Sequence, residues 1–195
     1  PSEIFSQTAR YKAPAFQRYY VWGEKQWESL VEDLETVDRK TGQFLGAIVL
    51  KDLGKHSGPT SPTTYLLVDG QQRLTTICIL LESLRKRFDQ AEEEDQSREI
   101  ARLLSAKALG GTAVPKIALN TLDGDEFGIL ASKEEIDSDE YENRNLADAF
   151  HTIRDWLSEM TVEDLAAFSF KLQNQTLVVR LDVNDAKDAF KLFET

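Results

Sequence analysis

Cysteine and histidine are scarce in this sequence. Its 195 residues include one cysteine, Cys78, and two histidines, His56 and His151. A single cysteine excludes a disulfide within the chain, and this set of side chains is too small for a zinc site built from cysteine and histidine. We interpret both histidines as ordinary side chains and Cys78, on the apolar face of a predicted helix, as a buried and unreactive thiol. This composition fits a reducing compartment, and we expect a cytoplasmic protein.

Long apolar runs are also missing. No stretch approaches the roughly 20 apolar residues that span a bilayer, and the first residues do not show the pattern of a secretion signal. We therefore expect no membrane partner. The sequence also lacks the G-x-x-x-x-G-K-[ST] and G-x-G-x-x-G patterns, which excludes a P-loop nucleotidase and the usual dinucleotide-binding turn.

Basic residues are fewer than acidic ones, 23 against 34, but the imbalance is confined to one half of the chain. Residues 1–90 contain 12 basic and 11 acidic side chains, a net charge of +1, whereas residues 91–195 contain 11 and 23, a net charge of -12. A polyanionic ligand is compatible with the first half, while like charges would repel it from the second. For most of the second half, we interpret the acidity as a means of keeping the protein soluble.

The periodicity of apolar residues predicts the main elements of the first half. We expect a helix over residues 24–40, two paired strands at 44–50 and 65–68, and a helix of about five turns that begins after residue 70. In the second half we expect helices at 100–109, 145–157 and 162–172, a short strand at 115–120 and a strong strand at 175–183. A further helix is predicted to begin at Asn184 or Asp185 and to continue to the last residue, so we expect a fragment of a longer protein.

These elements predict an α+β fold, a small mixed sheet packed with helices and extended by additional acidic helices. We divide the chain into a core at residues 1–90 and an acidic, mostly helical remainder at 91–195. The late strand at 175–183 is expected to return to the same domain as the core.

One short run combines several features of a phosphate-binding turn. Asp69-Gly70-Gln71-Gln72-Arg73 lies between a predicted strand and a predicted helix. Backbone N–H groups and the positive end of the helix dipole converge at such a point. Gly70 permits a positive φ angle, the two glutamines supply amide groups, and Arg73 supplies a guanidinium that can bind phosphate oxygens with two hydrogen bonds. The run therefore predicts a site for the phosphates of a nucleotide.

Asp69 is the residue of this run whose presence needs a separate explanation, because it would repel a bare phosphate. It could hold a magnesium ion, bind a ribose hydroxyl or orient a water molecule. Alternatively, Asp69 caps the helix and Arg73 is its surface partner, a common arrangement.

A second candidate segment is Pro14-Ala15-Phe16-Gln17-Arg18-Tyr19-Tyr20-Val21-Trp22. Its aromatic side chains could stack on a base beside a basic residue that contacts phosphate. They could equally belong to the core, and Phe16 and Trp22 are more typical of buried anchors. Gln17 and Arg18 are better candidates for ligand contacts, because polar groups among so much apolar surface need partners.

The segments PAFQRYYVW, FLGAIVL and YLLVDGQQRLTT together resemble the N-terminal domain family of GmrSD-type restriction enzymes, which act on modified DNA (type IV). In order and spacing they are also similar to the ParB/sulfiredoxin-like superfamily. The resemblance implies an NTPase that regulates a downstream HNH-type nuclease domain or subunit in phage defence. It implies NTP and Mg²⁺ as cofactors and modified DNA as a partner of the full-length protein.

The resemblance also implies roles for individual residues. Catalytic roles fall to Asp69, Gln72 and Arg73, and Asp69 would hold the magnesium ion. The nucleotide would be bound by Gln17, Arg18, Gly70, Gln71, Gln72, Arg73 and Thr75. Two other hypotheses remain open: the domain is itself a ParB-like nuclease, or it recognises modified DNA without catalysis through Tyr19, Tyr20 and Trp22.

Overall fold

The structure is a computed structural model that describes residues 4–5, 8–15, 17–36, 42–53, 61–108 and 110–185. Within these residues the chain forms six α-helices and a mixed five-stranded sheet, which confirms the predicted α+β class. None of the helices in these ranges has the length and apolarity needed to cross a membrane.

The sheet combines strands from both halves of the chain. Its order is β6-β1-β3-β2-β7. The strands are β1 (Ala9–Lys12), β2 (Gln43–Asp52), β3 (Thr63–Asp69), β6 (Ile117–Ala118) and β7 (Thr176–Asp182). Strands β2 and β3 pair with each other, as predicted; their pairing is antiparallel, and every other neighbouring pair is parallel. A separate two-stranded ribbon joins β4 (Ser105–Ala106) to β5 (Val114–Pro115).

The longest helix is the centre of the core. The helices are α1 (Glu24–Glu35), α2 (Gln71–Gln90), α3 (Glu94–Leu103), α4 (Thr121–Ser132), α5 (Arg144–Ser158) and α6 (Val162–Asn174). Of the 20 residues of α2, 13 are buried, including Cys78 as predicted. A helix that is buried around most of its circumference belongs to the interior rather than the surface. The N-terminus of α2 is therefore fixed by packing along the whole helix.

The largest differences from the sequence-based expectation concern two helices, α3 and α4. Helix α3 ends at Leu103, well before the Gly110-Gly111 pair that was expected to end it, because the following residues form β4 and the carbonyl of Leu104 accepts a hydrogen bond from the N–H of Lys116. Helix α4 was missed, since Gly124 and Gly128 lower its helical propensity. The expected final helix and His56 lie outside the described residues, apart from Asn184 and Asp185.

Candidate functional site

The turn between β3 and α2 requires a glycine. Gly70 has φ +89° and precedes the first residue of α2. A Cβ at this position would lie 2.7 Å from Cγ2 of Ile48 and 3.1 Å from the carbonyl oxygen of Ala47. Any other residue would meet both a strained backbone and a clash with β2. In the described part of the chain no side chain caps α2, so the positive end of the helix opens onto the surface beside Gly70.

Arg73 is fixed against β2. Its Nη1 donates a hydrogen bond to the carbonyl oxygen of Ala47 at 2.9 Å, and its side chain is half-buried. The guanidinium lies over Gly46, which has φ +105° at an irregular point of β2, and a Cβ on Gly46 would come within 2.5 Å of Cζ. The position of Arg73 is thus set by the absence of a side chain on the neighbouring strand.

The two glutamines of the run bind the aromatic segment. Oε1 of Gln72 accepts from the N–H of Val21 at 2.8 Å, and Nε2 of Gln72 donates to the carbonyl of Tyr19 at 3.0 Å. Nε2 of Gln71 lies 3.4 Å from the carbonyl oxygen of Arg18. Gln72 therefore pairs with the extended segment through both ends of its amide, as a neighbouring strand would. Its side chain positions that segment, while a catalytic role for it stays a prediction.

These contacts create a small cleft, which we call the Gly70 cleft. It is lined by Gln17, Arg18, Trp22, Asp69, Gly70, Gln71, Gln72 and Arg73, and its volume is about 210 Å³. The structure thus brings both sequence-predicted constellations to one place. Pockets that enclose whole small ligands measure roughly 300–1,000 Å³. The Gly70 cleft is therefore of a size for a charged group such as a phosphate rather than for a complete nucleotide.

Some polar atoms of the Gly70 cleft lack a hydrogen-bond partner among the described residues. The side chain of Arg18 is exposed and makes no hydrogen bond or ion pair with any described residue. Oε1 of Gln17 and Oε1 of Gln71 are buried without a hydrogen-bond partner in the part of the chain that is described. Buried carbonyl oxygens without a donor are costly, so both atoms favour a bound water molecule or a ligand hydroxyl.

Asp69 is exposed at the end of β3. The alternative in which it caps α2 and pairs with Arg73 is wrong, because Gly70 is the N-cap residue and Arg73 bonds to Ala47. Among the described residues that line the Gly70 cleft, Asp69 is the single acid. Magnesium at phosphate sites is commonly held by one or two carboxylates together with phosphate oxygens. Asp69 fits this donor set, although no group of three or more metal-binding side chains occurs in the described ranges.

Three of the candidate residues, Tyr19, Tyr20 and Thr75, do not line the Gly70 cleft, and two of them are buried. Tyr20 is 1% exposed; its hydroxyl lies 2.7 Å from Oγ1 of Thr76 and accepts from Nε1 of Trp27 at 2.9 Å. Burial raises the pKa of Tyr20 above its usual value. Its ring therefore cannot stack on a base at the surface. Thr75 is completely buried within α2. Tyr19, in contrast, is 52% exposed.

No sequence pattern indicated the network that holds Tyr20 from the opposite side. Oδ2 of Asp123 accepts from the N–H of Tyr20 at 2.7 Å, and Nδ2 of Asn143 donates to the carbonyl of Tyr20 at 3.1 Å. Asn143 also donates to Oδ1 of Asp123 at 2.6 Å. Burial raises the pKa of Asp123. These residues are over 100 positions from Tyr20, and in an acidic sequence neither is distinguishable from its neighbours.

One known protein family covers all the residues of the Gly70 cleft and of the network behind it. A family model described as the N-terminal domain of the GmrSD restriction endonuclease matches residues 1–195. The chain belongs to this family. No curated protein matches the chain. Because the family match covers both halves of the sequence, the acidic helices that carry Asp123 and Asn143 are part of the GmrSD N-terminal domain, as is the Gly70 cleft.

Proposed function

We propose that this GmrSD N-terminal domain binds the phosphates of an NTP in the Gly70 cleft and hydrolyses the nucleotide to regulate a downstream nuclease that acts on modified DNA. The observation that carries the proposal is the convergence of the uncapped N-terminus of α2 with the guanidinium groups of Arg18 and Arg73. Helix N-termini and arginine forks both bind phosphate oxygens.

The two arginines support the proposal in different ways. Arg73 is held by Ala47 through one N–H group, and a guanidinium has five, so donors remain for phosphate oxygens. Arg18 projects from the segment that Gln72 fixes, and it is exposed. A nucleotide would therefore contact Arg73, whose position is fixed by β2, and Arg18, whose side chain would pair with the ligand.

Asp69 and the unpartnered amide oxygens complete the proposed site. Asp69 would hold a magnesium ion together with the phosphates, and bound Mg²⁺ supplies charge neutralisation at the transferring phosphoryl group. Oε1 of Gln17 and Oε1 of Gln71 can each accept a hydrogen bond from a water molecule or a ribose hydroxyl. Because the volume of the cleft is about 210 Å³, the nucleobase would lie outside it.

The test of binding is the melting temperature of the 195-residue chain with each of the four NTPs at millimolar concentration and Mg²⁺. A ligand at 100 times its Kd stabilises the folded state by about 2.7 kcal/mol, which is a shift of roughly 5–10 °C for a domain of this size. We expect Arg73→Ala and Arg18→Ala to lose most of the shift. Arg98→Ala is the matched control, because Arg98 is an exposed arginine on α3 that pairs with the neighbouring acids Glu94 and Asp95 of the same helix. An unchanged melting temperature with every NTP would reject the proposal.

Release of inorganic phosphate separates hydrolysis from binding. We expect Asp69→Asn to reduce turnover far more than it reduces the NTP-dependent shift in melting temperature, since the amide keeps the shape but loses the charge that holds magnesium. Equal loss of both would reduce the proposal to binding. Cleavage of plasmid DNA by the chain, abolished by Asp69→Asn, would instead favour the nuclease hypothesis.

Recognition of modified DNA is a second candidate function of the same segment. It is favoured by the exposure of Tyr19 directly beside exposed Arg18, a pairing of ring and cation suited to a base and its phosphate. The test is binding of modified and unmodified duplexes in the absence of nucleotide. Preference for the modified duplex, lost in Tyr19→Ala but kept in Phe170→Ala, an equally exposed aromatic residue elsewhere, would support it.

A further inference from the structure

A second and larger cavity is lined by residues of β1, of the edge strand β6, and of helices α2 and α4. We call it the β1–α4 cavity, and its volume is about 430 Å³. The lining residues on which its chemistry depends are Arg10, Glu82, Lys116, Asn120, Phe127 and Gly128. None of its lining residues lines the Gly70 cleft. A volume of this size falls within the roughly 300–1,000 Å³ of small-molecule sites.

Two hydrogen-bond donors in the β1–α4 cavity lack an acceptor. Asn120 is 8% exposed, and its Nδ2 atom has no hydrogen-bond partner among the described residues. Nε of Arg10 is likewise buried and unpartnered within the described ranges. Leaving a buried donor unsatisfied costs about 1–3 kcal/mol. Both atoms therefore call for acceptor oxygens inside the cavity.

The β1–α4 cavity is lined by two basic and two acidic side chains. Lys116 is 1% exposed, and its Nζ donates to the carbonyl of Ala9 at 3.0 Å. Glu82 forms an ion pair with Arg85 at 2.8 Å, and Asp125 is exposed to solvent, which screens its charge. Arg10, whose Nε lacks a partner among the described residues, is therefore the lining cation that an anion in the cavity can contact.

The rest of the cavity lining includes an aromatic residue and a glycine of α4. Phe127 lines the cavity beside Gly128, and a Cβ added at Gly128 would have no atom within 4 Å. Bare helix backbone next to an aromatic ring provides space for a planar apolar group.

We infer that the β1–α4 cavity is a binding site for a small organic anion, a carboxylate or phosphate monoester carried on an aromatic or apolar body. The anionic group accepts hydrogen bonds from Arg10 and Asn120, and the body lies against Phe127 and Gly128. The site is separate from the Gly70 cleft, so its occupant is distinct from the NTP proposed above.

The test uses the 195-residue chain and three probes that share one ring system: 2-naphthoate, 2-naphthyl phosphate and neutral 2-naphthalenemethanol. Binding is measured by titration calorimetry and ligand-observed NMR. We expect one saturable site for at least one of the two anions, and which anion binds more tightly identifies the head group. The neutral alcohol should bind about tenfold more weakly, the size of one charge-assisted hydrogen bond. Failure of both anions to bind, or equal binding of the alcohol, would overturn the inference.

Two variants separate loss of the site from loss of the fold. Gly128→Leu fills the cavity while improving helical propensity, so it should abolish probe binding with an unchanged or higher melting temperature. Asn120→Asp keeps the oxygen that caps α4 but removes the donor, and should weaken the anion about tenfold. Arg98→Gln is the surface control.

The response to NTP is measured on the same variants. It should not change in Gly128→Leu, because Gly128 does not line the Gly70 cleft and has no atom within 4 Å of its Cβ position. If the probes bind wild type and both variants equally, or if the Arg10 and Asn120 donors are satisfied by ordered water alone in a probe-soaked crystal, the inference fails irrespective of the NTP result.

Discussion

The guanidinium of Arg73 occupies the space that a side chain on Gly46 would need: a Cβ there would lie 2.5 Å from Cζ and 2.7 Å from Nη2. One residue on β2 thereby determines where Arg73, the proposed phosphate-binding cation of α2, can lie. Because Gly46 makes no contact with a nucleotide in our proposal, it allows the position of Arg73 to be tested without changing Arg73.

Gly46→Ala should displace Arg73 and impair NTP binding. At φ +105° an alanine also strains the backbone, at a cost of about 1–3 kcal/mol. We expect a lower melting temperature without ligand and an NTP-dependent shift reduced to that of Arg73→Ala. The measurement is thermal denaturation with and without NTP. Gly128→Ala is the matched control, since its added Cβ meets open space; an NTP response that survives Gly46→Ala would show that the position of Arg73 is not what the cleft requires.

Gln72→Ala should free the segment that carries Arg18. The substitution removes two hydrogen bonds to the backbone of Tyr19 and Val21, worth together about 2 kcal/mol. Hydrogen exchange at the amide of Val21 should become markedly faster, and the affinity for NTP should fall. Gln90→Ala, at the exposed end of the same helix, should change neither quantity. Slow exchange at Val21 in Gln72→Ala would contradict the positioning role.

Asp123→Ala should weaken NTP binding from outside the cleft. Asp123 is fully buried and accepts hydrogen bonds from the N–H of Tyr20 and from Nδ2 of Asn143. Its loss removes the acceptor of that N–H and one of the two acceptors of Asn143. We expect destabilisation of about 2–4 kcal/mol and a reduced NTP-dependent shift. Asp125→Ala, an exposed acid on the same helix, is the control for charge. If Asp123→Ala lowers stability but leaves the affinity for NTP unchanged, the network serves folding alone.

Stability should depend on alkaline pH through two buried groups with opposite signs. Burial lowers the pKa of Lys116 from 10.5 to about 8, so between those values the unfolded chain holds a proton that the folded chain has released, and stability rises with pH. Burial raises the pKa of Cys78 from 9.0 to about 12, so above pH 9 the folded chain keeps a proton that the unfolded chain loses, and stability falls.

The two effects should be separable by mutation. In the wild-type chain we expect the unfolding free energy to rise from pH 8 to 9 and then to flatten towards pH 10. In Cys78→Ala the rise should continue to pH 10, with a slope of up to about 1.4 kcal/mol per pH unit. Denaturant titrations at pH 8, 9 and 10 measure both curves. Parallel curves for the two proteins would refute the assignment to Cys78.

Local sequence patterns were sufficient for the elements of the first half. The apolar stripe of α2 follows from helical periodicity and strands β2 and β3 from their apolar, β-rich composition, and the pairing of these two strands was predicted correctly. Helix α4 was not predicted, because its two glycines obscure the pattern and its N-cap, Asn120, follows a strand of only two residues. Such an element is stabilised by packing rather than by propensity.

The candidate site also has one part that local sequence patterns predicted and one part that they did not. The Asp69–Arg73 run between a strand and a helix indicated the turn, the positive φ of Gly70 and the helix terminus from sequence alone, since each depends on neighbouring residues. Tyr20 and Trp22 could not be distinguished as core or surface, because that depends on what packs against them. The structure buries Tyr20 and leaves Trp22 at the cleft.

The fold class, the family and the turn at Gly70 could be predicted from the sequence, because all of them rest on local order along the chain. Three contacts could not be predicted: Gly46 makes room for Arg73, Gln72 pairs with the aromatic segment, and Asp123 holds that segment from the opposite side. These contacts join residues that are 27 positions apart for Gly46 and Arg73 and 103 positions apart for Tyr20 and Asp123. Burial and hydrogen bonding across such separations are set by the packing of the whole chain, which no local pattern encodes.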